Sequence, residues 1–144
     1  MASKIIVADA SIPEQKMISD ILRKAGHLVV AETNDMSHTF RRARTLFCDL
    51  VIIDCALEGG GIKTASIINE DRLAAVLLLV DSDSFSLARR FHYLLRPIYS
   101  HTLIPAVEAA LFYWRRETEL QNQIKNLEDK LQTRKLLDKA KGIL

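Results

Sequence analysis

The sequence predicts an α/β fold, a doubly wound parallel sheet of five strands with helices on both faces. Three observations carry this. Short β-branched runs alternate along the chain with segments of helical periodicity. The inner runs are apolar throughout, as strands covered on both faces must be. Two of them, Lys4–Ala8 and Leu50–Ile53, end directly on an acid, Asp9 and Asp54. At 144 residues, 49% hydrophobic and 26% charged, the chain can bury a core without cross-links. A net charge of +2 is too even to argue for nucleic-acid or membrane binding by field alone.

The elements follow in order. Lys4–Ala8 reads as a buried strand. Ser11-Ile-Pro-Glu14 is an S-x-x-E capping box with Pro in the first turn, so a helix begins there. Met17, Ile18, Ile21 and Leu22 continue it at helical spacing, and Gly26 stands where a C-cap belongs. Leu28–Glu32 is a second strand. Ser37–Phe47 is a second helix, with Phe40, Ala43 and Phe47 on one face. Leu50–Ile53 is the third strand. Gly59–Gly61 predicts a flexible loop, Ile62–Asn69 a third helix, and Ala74–Val80 a fourth strand. Ser84–Phe91 has modest helical character, and Tyr93–Leu95 is a short fifth strand leading into Arg96-Pro97. From Leu103 the pattern is helical almost to the end, with Pro105 and Gly142 its sole Pro and Gly.

The longest apolar run, Leu73–Val80, is far too short to span a bilayer. The opening MASKIIVAD lacks the apolar stretch and cleavage site of a signal peptide, which predicts a cytoplasmic protein. Cys48 and Cys55 form neither a disulfide framework nor a C-x-x-C metal motif, and Cys55 reads as a small packing residue. His27, His38, His92 and His101 are scattered without metal spacing. A flavodoxin-like catalyst finds no support, since no Gly-rich phosphate loop follows the first strand. The chain reads as a non-enzyme.

KIIVAD, DLVIID at Asp49–Asp54 and LLRPI at Leu94–Ile98 resemble the three signatures of a two-component receiver domain, over residues 4–113. The resemblance implies the flavodoxin-like strand order 2-1-3-4-5, which makes the ends of strands one and three neighbours and so brings Asp9 beside Asp54. It implies that Asp54 is a phosphoacceptor and that Mg²⁺ is held by Asp9, Asp54 and the backbone carbonyl of Ala56. It also implies a cis bond at Arg96-Pro97 and a sensor kinase or regulatory protein as partner.

The chain departs from that pattern in four places. Ala10 replaces the second acid after strand one. Val80 replaces a Ser/Thr, although Ser82 and Ser84 lie nearby. Arg96 replaces a Lys, keeping the charge but not the compact ammonium. The stretch from Val80 to Arg96 is short, predicting a stunted helix there. Two readings of Asp54 follow: a phosphoacceptor in a degenerate acidic pocket, or an acid paired with Arg96 or merely retained in a phosphorylation-independent pseudo-receiver that dimerises and binds partners. Asp9 taken alone reads equally as an acid favoured by the start of a helix.

In the C-terminal helix, Ile104, Val107, Leu111 and Trp114 form a sheet-covering stripe. Beyond it Leu120, Ile124, Leu127 and Leu131 continue in 4-3-4 spacing, the seam of a coiled coil. This predicts a homodimer through the helix; the alternative is a single amphipathic helix folded back on the body. Finally, Thr133–Leu144, TRKLLDKAKGIL, resembles the opening of an ANTAR domain, the RNA-binding antiterminator module. The expected organisation is a receiver-like domain over 1–113, then a coiled-coil linker and the first helix of a truncated ANTAR domain over 114–144. RNA is then a partner of the full-length protein; Arg134, Lys135, Lys139 and Lys141 alone are too few to bind it tightly.

Overall fold

A computed structural model describes residues 2–84, 88 and 90–142. The strands are β1 (Lys4–Ala8), β2 (Leu28–Thr33), β3 (Leu50–Asp54), β4 (Ala75–Val80) and β5 (His92–Leu95). The helices are α1 (Ile12–Lys24), α2 (Met36–Thr45), α3 (Gly61–Glu70) and α4 (Ser100–Gly142). All five strands are parallel in the order β2-β1-β3-β4-β5. The fold is therefore the predicted flavodoxin-like one.

The apolar runs become strands because nothing else could bury them. Every residue of β3 and β4 is buried, as are Ile5, Ile6, Val7 and Ala8 of β1. The outer strands β2 and β5 are half-covered and correspondingly mixed in composition. Helices pack on the sheet through Ile18 and Leu22 of α1, Ala43 of α2, Ala65 and Ile68 of α3, and Leu103, Val107, Ala110 and Leu111 of α4. That α4 stripe lies one position away from the predicted one at Ile104, which is only half-buried. Gln15, buried on α1, donates from Nε2 to the Val7 and Thr33 carbonyls (3.3 and 2.7 Å) and fastens the helix over β1 and β2.

Compact contacts divide the chain into Met1–Leu111 and Phe112–Leu144. In the second unit α4 continues as one helix, and Leu120, Ile124, Leu127 and Leu131 are 49–60% exposed. The stunted helix expected at Ser84–Phe91 falls largely on residues 85–87 and 89, outside the described residues. A 3₁₀ turn spans Ser82–Ser84. No described helix is long and apolar enough to cross a membrane.

The Gly59–Gly61 segment departs from the flexible loop expected of it. Leu57 N–H donates to the Asp54 carbonyl (3.0 Å) and Gly60 N–H to that of Leu57 (2.8 Å), so the segment is a hydrogen-bonded corner. Gly59 and Gly60 have φ of 96° and 107°, a region favouring glycine. Gly61 starts α3 hard against β3, where a Cβ would collide with the Asp54 carbonyl and the Cys55 Cα. Glycine here serves close packing at the mouth of the site.

Candidate functional site: an acidic rim closed by an arginine

Register places the acids. Ala8 of β1 pairs with Ile53 of β3, so the chain leaves both strands at the same level with Asp9 and Asp54 side by side. The link is direct: Ala10 N–H, the residue after Asp9, donates to Asp54 Oδ2 at 3.0 Å. Asp54 Oδ1 accepts from Ala56 N–H at 2.9 Å and from Arg96 Nη2 at 2.8 Å. Asp54 is only 3% exposed, and both its oxygens are engaged.

Arg96 arrives from the end of β5, where its own N–H donates to the Val80 carbonyl (2.9 Å), and the peptide to Pro97 is cis, as the resemblance implied. Its guanidinium bridges two carboxylates. Nε donates to both oxygens of Glu14 (3.1 Å each) and Nη2 to Glu14 Oε1 (2.7 Å) as well as to Asp54. Nη1 lies 3.5 Å from Asp81, the residue after β4. A planar fork suits this; a lysine's point charge would not hold two carboxylates in fixed geometry.

Glu14 and Asp81 were not among the residues picked out from sequence. Glu14 was visible as the last residue of the capping box, and half of that box forms: Ser11 Oγ accepts from Glu14 N–H at 3.4 Å. The reciprocal half does not. Ser11 N–H is taken by Asp9 Oδ1 at 2.9 Å, which frees the Glu14 carboxylate to turn to Arg96. Glu14 thus supplies, one turn into α1, a carboxylate to the rim from which Ala10 is missing one.

The titration of the group follows from these contacts. Burial pushes the Asp54 carboxyl up, but the Ala56 N–H, Arg96 and the Ala10 N–H together hold it below the usual carboxylate range. Burial likewise acts on Glu14 and is outweighed by its hydrogen bonds from Arg96. Asp9 has no cation. Burial first, and the neighbouring Glu14 and Asp54 carboxylates after it, push its carboxyl up to about 8. Its Oδ2 is buried without a hydrogen-bond partner, an environment that disfavours the charged carboxylate.

This donor set does not fit Mg²⁺. Both oxygens of Asp54 are already engaged, Arg96 pairs with both Asp54 and Glu14, and no cluster of three or more metal-ligating side chains occurs among the described residues. Ala56 contributes its N–H to Asp54. What the arrangement provides is a shallow pocket of about 330 Å³ lined by Ala10, Ser11, Glu14, Asp54, Ala56, Asp81 and Arg96, with a half-buried ion-pair network as its floor.

Of the other candidates, Cys55 adjoins the rim directly after Asp54, and none is among the residues that line the pocket. His27 Nδ1 accepts from Ser3 N–H (3.2 Å), and His38 pairs with Asp35 at the start of α2 (2.7 Å). Cys48 and Cys55 are half-buried and unbridged, and burial pushes the Cys48 thiol up to about 11, away from thiolate chemistry.

A wound sheet with an acid at the end of its third strand and a cation after its fifth is the architecture of receiver domains, and solved structures agree. The signal receiver domain of a modulated diguanylate cyclase from Desulfovibrio desulfuricans superposes with a TM-score of 0.73 at 20% identity, covering 81% of this chain and 99% of that one. NtrX from Brucella abortus gives 0.74 at 20% identity, covering 85% of this chain and 29% of its own. The chain is also 32% identical to the transcriptional regulatory protein PdtaR of Mycobacterium tuberculosis over 155 aligned positions, 95% of this chain and 76% of that protein. It belongs to the PdtaR family of transcriptional regulators. No protein-family model matches it.

Proposed function

We propose that this chain is the signal-receiving part of a cytoplasmic regulator acting by transcription antitermination. In this reading a receiver-like domain and a dimerising helix control an ANTAR RNA-binding module that begins near Thr133. The receiver-type fold and the kinship with a transcriptional regulator support the first part. The TRKLLDKAKGIL sequence supports the second, and the exposed apolar stripe of α4 supports a homodimer.

The observation that supports a reading of how the signal enters is Arg96 clamped between Glu14 and Asp54. With both Asp54 oxygens engaged and the guanidinium in the role of counter-cation, the rim is built as a pseudo-receiver, switched by a partner protein at its surface. A second reading has one feature in its favour. The pocket opens beside Asp54, and Arg96 is placed to meet an anion there, so Asp54 as phosphoacceptor of a sensor kinase is the alternative. Incubation with acetyl phosphate and Mg²⁺, followed by intact-mass spectrometry, separates them. We expect no adduct; a stoichiometric adduct abolished by Asp54→Asn establishes the phosphate-driven form. Tight RNA binding by the full-length protein that is indifferent to deletion of residues 1–113 would count against control by the receiver.

A further inference from the structure

The apolar stripe on α4 has charged ends of opposite sign. Three residues before Leu120, on the same face, stands Glu117; three residues after Leu131 stands Arg134, and both are exposed. In heptad terms Glu117, Ile124 and Leu131 occupy one seam position, and Leu120, Leu127 and Arg134 the other. The stripe therefore reads, from either end, charge–Leu–aliphatic–aliphatic–Leu–charge, and it is symmetric about a point between Lys125 and Asn126.

That symmetry distinguishes the two ways in which a second copy can lie against it. Side by side in the same direction, each layer meets its own twin: Glu117 faces Glu117 and Arg134 faces Arg134. The flanking positions add Lys130 against Lys135 on each side, so four contacts set like charges together. In opposite directions, residues pair across the centre of symmetry. Leu120 then meets Leu131, Ile124 meets Leu127, and Glu117 meets Arg134 at both ends. The flanks bring Gln121 to Glu128 and Gln123 to Lys130, with no like-charge contact. A short apolar seam closed by two opposite-charge layers selects orientation mainly through the arrangement it penalises.

We propose that α4 is a head-to-tail dimerisation surface, whose occupant is the α4 of a second copy with Glu117 of each protomer facing Arg134 of the partner subunit. This rests on the dimer proposed above and adds its direction. It has a consequence for the RNA-binding module. At 1.5 Å per residue, the two Thr133 residues stand about 22 Å apart along the rod and lead away from opposite ends. In a same-direction pair they would be neighbours.

Cysteine cross-linking in the intact chain tests the direction, with Cys48 and Cys55 replaced by alanine. Across a head-to-tail seam Leu120 meets Leu131, whereas the two Leu120 residues are about 16 Å apart along the axis, beyond the reach of a disulfide. Under mild oxidation, Leu120→Cys alone and Leu131→Cys alone should stay uncross-linked, and an equimolar mixture should give the mixed covalent dimer. Self-cross-linking of either single variant overturns the direction while leaving the dimer intact. No cross-link in any sample, with a monomer by sedimentation, overturns both. If the cysteine-free background fails to fold, charge exchange serves instead. Glu117→Arg and Arg134→Glu singly should weaken the dimer about tenfold, and the double variant should restore it. Equal dimerisation by all four proteins overturns the proposal.

Discussion

Glu14 and Arg96, 82 positions apart in sequence, meet through three hydrogen bonds of 2.7–3.1 Å, and the same guanidinium continues to Asp54 at 2.8 Å. The ends of β3 and β5 and the first turn of α1 are thereby tied at one point. One guanidinium there faces two carboxylates, so the junction compensates one of their two charges and the rim keeps a net negative charge.

Because Arg96 is the shared ion-pair partner of two carboxylates that are each less than one-fifth exposed, Arg96→Ala should be markedly destabilising. Removing one partner of such a group leaves uncompensated charge, worth about 3 kcal/mol. Glu14→Gln, which keeps Asp54 paired, should cost roughly 1 kcal/mol. Arg96→Lys should fall between them, since it keeps the charge and loses the fork. Urea denaturation at neutral pH measures all three.

Stability should vary with pH through Asp9. In the folded protein its carboxyl holds its proton up to about pH 8, whereas the unfolded chain gives it up near the ordinary value of 3.8. The folded state thus binds more protons across that interval. The associated stability is complete below pH 4 and is lost as pH rises through 8, with a slope of up to about 1.4 kcal/mol per pH unit. Glu14 and Asp54 act oppositely, adding stability above their ordinary values and losing it as the medium becomes more acid. The urea midpoint should therefore fall from pH 5 to pH 8, and Asp9→Asn should flatten that fall. An unchanged slope in the variant would place the titrating group elsewhere.

Mg²⁺ at millimolar concentration should leave the melting temperature unchanged, because the rim already carries its own cation. A rise of several degrees, reversed by EDTA, would mean that Arg96 yields its place. Scanning calorimetry with and without the metal reads this directly.

Gly61→Ala should destabilise by about 1–3 kcal/mol, as overpacking against backbone does. The added methyl group meets the Asp54 carbonyl and the Cys55 Cα, neither of which can rotate away. Gly26→Ala offers a control: no atom lies within 4 Å of its Cβ, so the cost there is confined to its φ of 91°. Thermal melts of the two variants should separate clash from backbone strain.

Much of the fold was legible because it is written in local patterns. Central strands such as Ala75–Val80 are apolar at every position, capping residues such as Ser11 stand at helix starts, and these signals need no partner to be read. Glu14 shows where that reading stops. From its neighbours it belongs to a capping box, and one half of the box forms. The destination of its carboxylate depends on Asp9 having taken the Ser11 N–H and on an arginine far along the chain. The Gly59–Gly61 run misled in the same way, since glycine marks both freedom and close approach.

Pattern and spacing alone thus determined the strand–helix alternation, the two acids that terminate inner strands, and an apolar stripe with opposite charges at its ends. They could do so because hydrophobic burial and helix periodicity act over a few residues. Only the tertiary structure decided that Asp54 is paired with Arg96, that Glu14 joins them, and that Asp9 favours its proton. Burial and charge proximity are properties of the packed rim, where segments 40 to 80 residues apart meet within hydrogen-bond distance.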